Sequence, residues 1–208
     1  MRGTPPTSRG WGRRPTSAWL VVSNLGLAAT WAYAGSVALS GECDADALLR
    51  AASLAILVTT LEFFHALLGI TRSGPGNVAL FTVARAIIGV VIGARLPCHP
   101  AFVATVLAWS CGEIVRFTCF SLTALTTLSA SWDRFAAARL RAVRYNAGPV
   151  FFSIGTCGEI VMLVLAATSS TGGATWWVWA LVVGWPAGFF ILMRQLLKQR
   201  RKHLRKAD

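Results

Sequence analysis

The chain reads as an all-α polytopic membrane protein, a bundle of six transmembrane helices with both termini cytosolic. Three observations point there. Of its 208 residues 55% are hydrophobic and only 13% charged, too apolar for a soluble domain with a polar shell. Windows of about 20 apolar residues, the length that crosses ~30 Å of hydrocarbon, can be laid down six times. Most of the 20 Lys and Arg residues gather at the two ends and in one connecting segment. A net charge of +12 would suit nucleic-acid binding, but this distribution fits a membrane protein, and no nucleic-acid partner is expected.

Residues 1–17, MRGTPPTSRGWGRRPTS, are basic and rich in Pro, Gly and Ser, the composition of a disordered cytosolic tail. The apolar segment after it is too long for the hydrophobic region of a signal peptide. A transmembrane domain over 18–197 follows, with spans near Ala18–Leu39, Ala47–Ile70, Val78–Leu96, Ala101–Leu125, Ala147–Ala167 and Thr175–Leu196. The segments between them, GECDAD, TRSGPGN, PCHP, LSASWDRFAAARLRAVRYN and SSTGGA, carry turn-forming or charged residues. Residues 198–208 form a second basic cytosolic tail.

The positive-inside rule sets the orientation. One side collects Arg2, Arg9, Arg13, Arg14, Arg72, Arg134, Arg139, Arg141, Arg144, Lys198, Arg200, Arg201, Lys202, Arg205 and Lys206; the other holds Glu42, Asp44, Asp46, Arg95 and His99. Trp176, Trp177 and Trp179 then belong to the aromatic belt of the far side. The final RKAD is similar to a dibasic retrieval signal of endoplasmic-reticulum membrane proteins, although a basic tail beside an anionic leaflet has the same composition.

Five cysteines without CxxC spacing give no zinc or iron–sulfur framework, and no metal or other cofactor is expected. Cys43 and Cys98 fall in two short segments on the same non-cytosolic face, where a disulfide can persist. Cys111, Cys119 and Cys157 lie inside apolar spans and are read as core packing residues.

Within the spans sit Glu62 and His65 on the second, Arg85 on the third, Glu113 and Arg116 on the fourth, and Glu159 on the fifth. A charged side chain at mid-membrane depth costs roughly 2.5 kcal/mol or more, so each calls for a partner, a cavity or a reaction. Glu62/His65 and Glu113/Arg116 are spaced i,i+3, which puts each pair on one helix face. A buried salt-bridge network and a polar cavity open to the cytosol both fit this set. Tyr145, Phe152 and Glu159 recur every seven residues along one stripe of the fifth helix, each step rising ~10.5 Å. Gly148, Gly155 and Gly158 thin that helix, and Gly89 and Gly93 thin the third, allowing close approach or room for a ligand chain. Cys111-x4-Arg116 has one residue too few for a phosphatase loop and lies on an apolar helix. By themselves, these residues specify a membrane-embedded polar site and leave its reaction open.

Taken together, the motifs resemble the very-long-chain (3R)-3-hydroxyacyl-CoA dehydratase family, also described as protein tyrosine phosphatase-like membrane proteins, from about Trp19 to the C-terminus. Asn24-x6-Trp31 is similar to that family's YNxxQxxGW; LEFFHALLGI is similar to LEIxHxxxGI, carrying Glu62 and His65. Arg85 of FTVARAIIGVVI matches the arginine of the third helix, and WSCGEIVRF matches WxxxEIIRY with Glu113 and Arg116 in place. RYNAGPVFFSIGTCGE aligns without a gap with RYxxxxxxYPxGxxGE, so that Arg144, Tyr145, Gly155, Gly158 and Glu159 match. Phe152 stands at the catalytic tyrosine and Ser153 at the proline after it.

The resemblance implies the third step of fatty-acid elongation in the endoplasmic reticulum: removal of water from a 3-hydroxyacyl-CoA to give the trans-2-enoyl-CoA, with Glu159 as a catalytic residue. Glu62, His65, Arg85, Glu113, Arg116, Tyr145 and Asn24 would support the polar site. The basic rim, Arg72 and Arg144 included, would hold the CoA phosphates, with the acyl chain among the helices beside membrane lipid and other elongation enzymes as partners. Phe152 has no hydroxyl to move a proton, so the expectation is weak or absent turnover that Phe152→Tyr restores. The alternative it raises is a non-catalytic dehydratase-like partner or scaffold of the elongase complex. A small ion or proton transporter is disfavoured by the lack of an internal repeat.

Overall fold

The computed structural model describes residues 13–41, 43–71, 74–128, 134–169 and 176–204, and among them it is entirely helical. The helices are α1 (Arg13–Ala38), α2 (Ala45–Leu67), α3 (Pro75–Ala86), α4 (Pro100–Leu128), α5 (Arg134–Ser169) and α6 (Trp176–Leu204); a π-helical stretch (Ile87–Ile92) and a 3-10 turn (Gly93–Arg95) continue α3. With that continuation counted, all six are long and apolar enough to cross a membrane.

Local chemistry sets several of the ends. Asp44 caps α2 by accepting the Ala47 N–H at 2.9 Å, as short polar side chains do for the free N–H groups of a first turn. Gly69, at φ +69°, follows the end of α2 in the left-handed conformation that glycine adopts without a Cβ clash. Pro75 opens α3, where its missing N–H leaves no bond unmade.

The expected tail over 1–17 falls mostly outside the described residues, but Arg13–Ser17 already belong to α1. Pro15 is compatible with this because a proline in the first turn breaks no helical hydrogen bond. At the other end α6 continues through Lys198 to Leu204, so the basic segment begins as helix.

The short α1–α2, α2–α3 and α3–α4 connections make those neighbours antiparallel. Helix α4 lies between α1 and α5, α2 flanks α1 and α3, and α6 packs on α5. The core is built from Trp31 of α1, Ala55 of α2, Ile88 and Ile92 of the π stretch, Phe102 and Val106 of α4, and Met162 and Leu163 of α5. Leu57, Val183 and Phe190 are exposed at 65%, 76% and 69%, an outward apolar surface that suits lipid contact. Cys111 and Cys157 join that surface and only Cys119 is buried, which corrects their reading as core residues: in a membrane span, apolar character does not distinguish inside from outside.

Cys43, before α2, and Cys98, before α4, are bridged with Cα atoms 5.8 Å apart. The bridge ties the α1–α2 connection to the α3–α4 connection at one end of the bundle.

Candidate active site

Glu159 sits on α5 with an indole closed over each carboxylate oxygen. Trp109 of α4 donates its Nε1–H to Oε1 at 2.8 Å, and Trp185 of α6 donates to Oε2 at 2.6 Å. Glycine makes this approach possible. A Cβ at position 155 would stand 3.2 Å from Trp109 Cδ1, and one at 158 would run into Thr105 Oγ1. Without side chains at these positions α5 lies directly on α4, so the indole N–H reaches the carboxylate one turn along.

The carboxylate borders a cavity of about 270 Å³ between α3, α4, α5 and α6, lined by Leu80, Phe81, Ala84, Arg85, Trp109, Phe152, Thr156, Glu159, Leu181, Gly184, Trp185, Gly188, Phe189 and Leu192. Its walls are mostly apolar, and Arg85 and Glu159 are the ionisable residues among them. Phe152 belongs to an aromatic cluster: its ring stacks on Phe189 with centroids 5.5 Å apart and planes at 12°, and meets Phe81 edge-on at 6.2 Å.

Beside the cavity runs a chain of ion pairs. Arg116 of α4 donates through Nη1 and Nη2 to the two oxygens of Glu62 of α2, at 2.9 and 2.7 Å. Its Nε donates to Oε2 of Glu113 at 2.8 Å, while Arg85 of α3 donates to Oε1 of Glu113 at 2.7 Å. Two acids and two bases thus cancel, and a two-pronged arginine suits such a site because its planar fork matches a carboxylate. The Arg85 guanidinium also lies 5.5 Å from the Trp31 ring centroid and 5.7 Å from that of Trp109, within cation–π range. Arg85 therefore connects the ion-pair chain to the cavity wall.

The residues singled out from sequence fall into separate groups. Glu159, Phe152 and Arg85 line the cavity, while Glu62, Glu113 and Arg116 form the ion-pair chain behind it. Glu62 turns to Arg116 on α4 in place of His65 on its own helix; His65 Nε2 accepts the Trp19 indole N–H at 2.9 Å. Asn24 is buried on α1. Arg144 lies 4.2 Å over the Phe120 ring and 5.5 Å from that of Tyr145. None of His65, Asn24, Tyr145 and Arg144 lines the cavity. Arg72 lies outside the described residues.

Sequence reasoning did not single out Trp109, Trp185 or Thr156. Trp109 was within reach, being the tryptophan of the WSCGEIVRF motif four residues before Glu113. Trp185 also carried a signal: it sits mid-span in GWPAG, away from the interfacial belt where a tryptophan N–H finds water, so it needs an acceptor in the protein. The arrangement as a whole offers an anchored proton acceptor at the edge of an apolar cavity, suited to taking a proton from a carbon acid away from bulk water.

A family model described as "Protein tyrosine phosphatase-like protein, PTPLA" matches residues 56–206. The protein of Schizosaccharomyces pombe named "Probable very-long-chain (3R)-3-hydroxyacyl-CoA dehydratase" is 24% identical over 155 residues, covering 70% of each chain. No solved structure matches.

Proposed function

This chain belongs to the protein tyrosine phosphatase-like family, and on that footing we propose that it is a hydro-lyase of fatty-acid elongation, converting a long-chain 3-hydroxyacyl-CoA into the trans-2-enoyl-CoA and water. The observation that carries the reading is Glu159, at the position of the family's catalytic glutamate, held by two indole N–H groups at the wall of an apolar cavity. Such a site takes the α-proton of a thioester while excluding the water that would compete for it. Both Glu159 oxygens are fixed as acceptors, so the carboxylate needs no reorientation before it acts.

The acyl chain lies along the apolar wall of α6, where Leu181 and Gly184 adjoin Trp185. The CoA moiety stays at the cytosolic rim, where Arg144, and Arg72 beyond the described residues, supply positive charge for its phosphates. On this reading the protein works in the endoplasmic-reticulum membrane with both termini cytosolic, beside the other enzymes of the elongation cycle.

The test is enoyl-CoA formation by the purified full-length protein from a long-chain 3-hydroxyacyl-CoA. Glu159→Gln keeps the size of the side chain and removes the proton acceptor, so turnover should fall at least 10²-fold while the protein stays inserted and abundant. Equal turnover by parent and variant would make Glu159 a packing residue. No turnover in the parent or in Phe152→Tyr would favour the non-catalytic partner that the missing hydroxyl at position 152 suggests.

A further inference from the structure

One polar group in the cavity has no partner. Thr156 is 4% exposed, lines the cavity, and sits four residues after Phe152 and three before Glu159 on the same helix face. Among the described residues its hydroxyl makes no hydrogen bond, a condition it shares with Thr71 Oγ1 outside the cavity. Thr59, Thr82, Thr105, Thr123 and Thr168 each donate to the carbonyl four residues back, the usual way a helical threonine satisfies its hydroxyl in apolar surroundings. An unpaired hydroxyl on a residue that lines a cavity leaves a donor free for a ligand that enters it. The fully buried side-chain atoms that lack a partner among the described residues, Thr71 Oγ1, Ser110 Oγ and Arg200 Nε, do not line the cavity.

We propose that Thr156 supplies the substrate-contacting hydroxyl that Phe152 lacks, donating its hydrogen bond to the β-oxygen of the 3-hydroxyacyl thioester. The assignment rests on the dehydratase reading above. Along the helix axis Thr156 lies ~6 Å from Phe152 and ~4.5 Å from Glu159, so a β-oxygen bound to it stays within the compass of the carboxylate. The reaction then balances with one carboxyl group. The Glu159 carboxylate takes the proton from the α-carbon, and the electron pair of that C–H bond becomes the new C2=C3 π bond. The C3–O bond breaks, and the departing oxygen, steadied by the Thr156 hydroxyl, takes the proton back from Glu159 and leaves as water. Threonine keeps its own proton throughout. An aliphatic hydroxyl is a far weaker acid than the phenol of the family pattern, so it stabilises the departing oxygen without protonating it, and the parent chain turns over more slowly than a Phe152→Tyr variant.

The experiment compares full-length parent, Thr156→Val, Thr156→Ser, Thr156→Ala, Phe152→Tyr and the Phe152→Tyr/Thr156→Val double variant, each purified in detergent, by steady-state formation of the enoyl-CoA from a long-chain 3-hydroxyacyl-CoA. Loss of one donor to a developing negative oxygen costs about 10²-fold in kcat, so Thr156→Val and Thr156→Ala should lose that much with KM little changed. Thr156→Ser should keep kcat within a few-fold of the parent. In the Phe152→Tyr background, Thr156→Val should cost much less, because the phenol then does the same work. Thr156→Ala, which adds no bulk, carries the comparison if the valine variant does not fold. Undiminished kcat in Thr156→Ala, or equal losses in the serine and alanine variants, would overturn the role of the hydroxyl and leave the dehydratase reading standing. An inert parent with an active Phe152→Tyr would do the same. If both are inert, the dehydratase reading falls and this inference with it.

Discussion

At the scale of single residues, the site depends on two indole N–H groups that have unequal duties. Trp185 gives one hydrogen bond to Glu159, whereas Trp109 gives one and also presents its ring to the Arg85 guanidinium. A hydrogen bond to a charged acceptor contributes about 1.5–3 kcal/mol, which is roughly a 10- to 100-fold effect. Trp185→Phe, which keeps a ring on the cavity wall and loses the N–H, should lower turnover by about that factor without lowering the thermal stability of the detergent-solubilised protein by more than a few degrees. If turnover is unchanged, Glu159 is positioned by Trp109 alone. The ion-pair chain belongs to a different class of residue. Removing one member of a buried pair strands the other and costs about 3–5 kcal/mol, so its substitutions act on folding before they act on chemistry.

At the scale of the helix, α6 is the element whose sequence is most directly tied to the cavity. Gly184 lines it, and a Cβ there would meet nothing within 4 Å. Gly184→Leu should therefore fold at least as well as the parent, since leucine favours a helix over glycine by ~0.8 kcal/mol, and its side chain should occupy space meant for the acyl chain. The expected result is at least a 10-fold higher KM for a long-chain substrate and a smaller change for a short one, measured side by side. Equal effects on both would move the acyl chain to another wall. The helices themselves were legible: twenty-residue apolar windows found all six, and the i,i+3 spacing of Glu113 and Arg116 anticipated their contact. The rest was not legible, for physical reasons. The π-helical stretch after Ala86 contains Gly89, which has Ile56 and Trp109 against it, and a single sequence carries no signal for packing of that kind. Glu62 prefers an arginine on another helix to the histidine one turn away, a choice that local spacing cannot foresee. Thr156 is unpaired only because its neighbours leave a cavity beside it.

At the scale of the whole molecule, the bridge between Cys43 and Cys98 and the gathering of arginine on the opposite side make one joint statement about orientation. Thiols bridge and stay bridged in an oxidising compartment, so these two connections should face away from the cytosol. On a non-reducing gel the parent should migrate faster than the same protein after reduction, and Cys43→Ser should remove the difference. Alkylation of Cys43 and Cys98 themselves in the unreduced membrane protein would contradict the bridge. The division of labour among helices reaches further still. Helices α1 to α4 are linked to one another by their packing, by the ion pairs and by the bridge, while α6 packs on α5 and contributes Trp185 to Glu159. Because α6 follows the other five in the chain, it is the last to leave the ribosome. Until it arrives, Glu159 has one of its two donors and lacks the α6 wall of its cavity, so the nascent protein passes through a stage in which this carboxylate is half-satisfied. The final helix thus serves as the latch that completes the reaction chamber, and any quality-control machinery that surveys polar groups in the bilayer has an interval of synthesis in which to recognise a chain that never receives it.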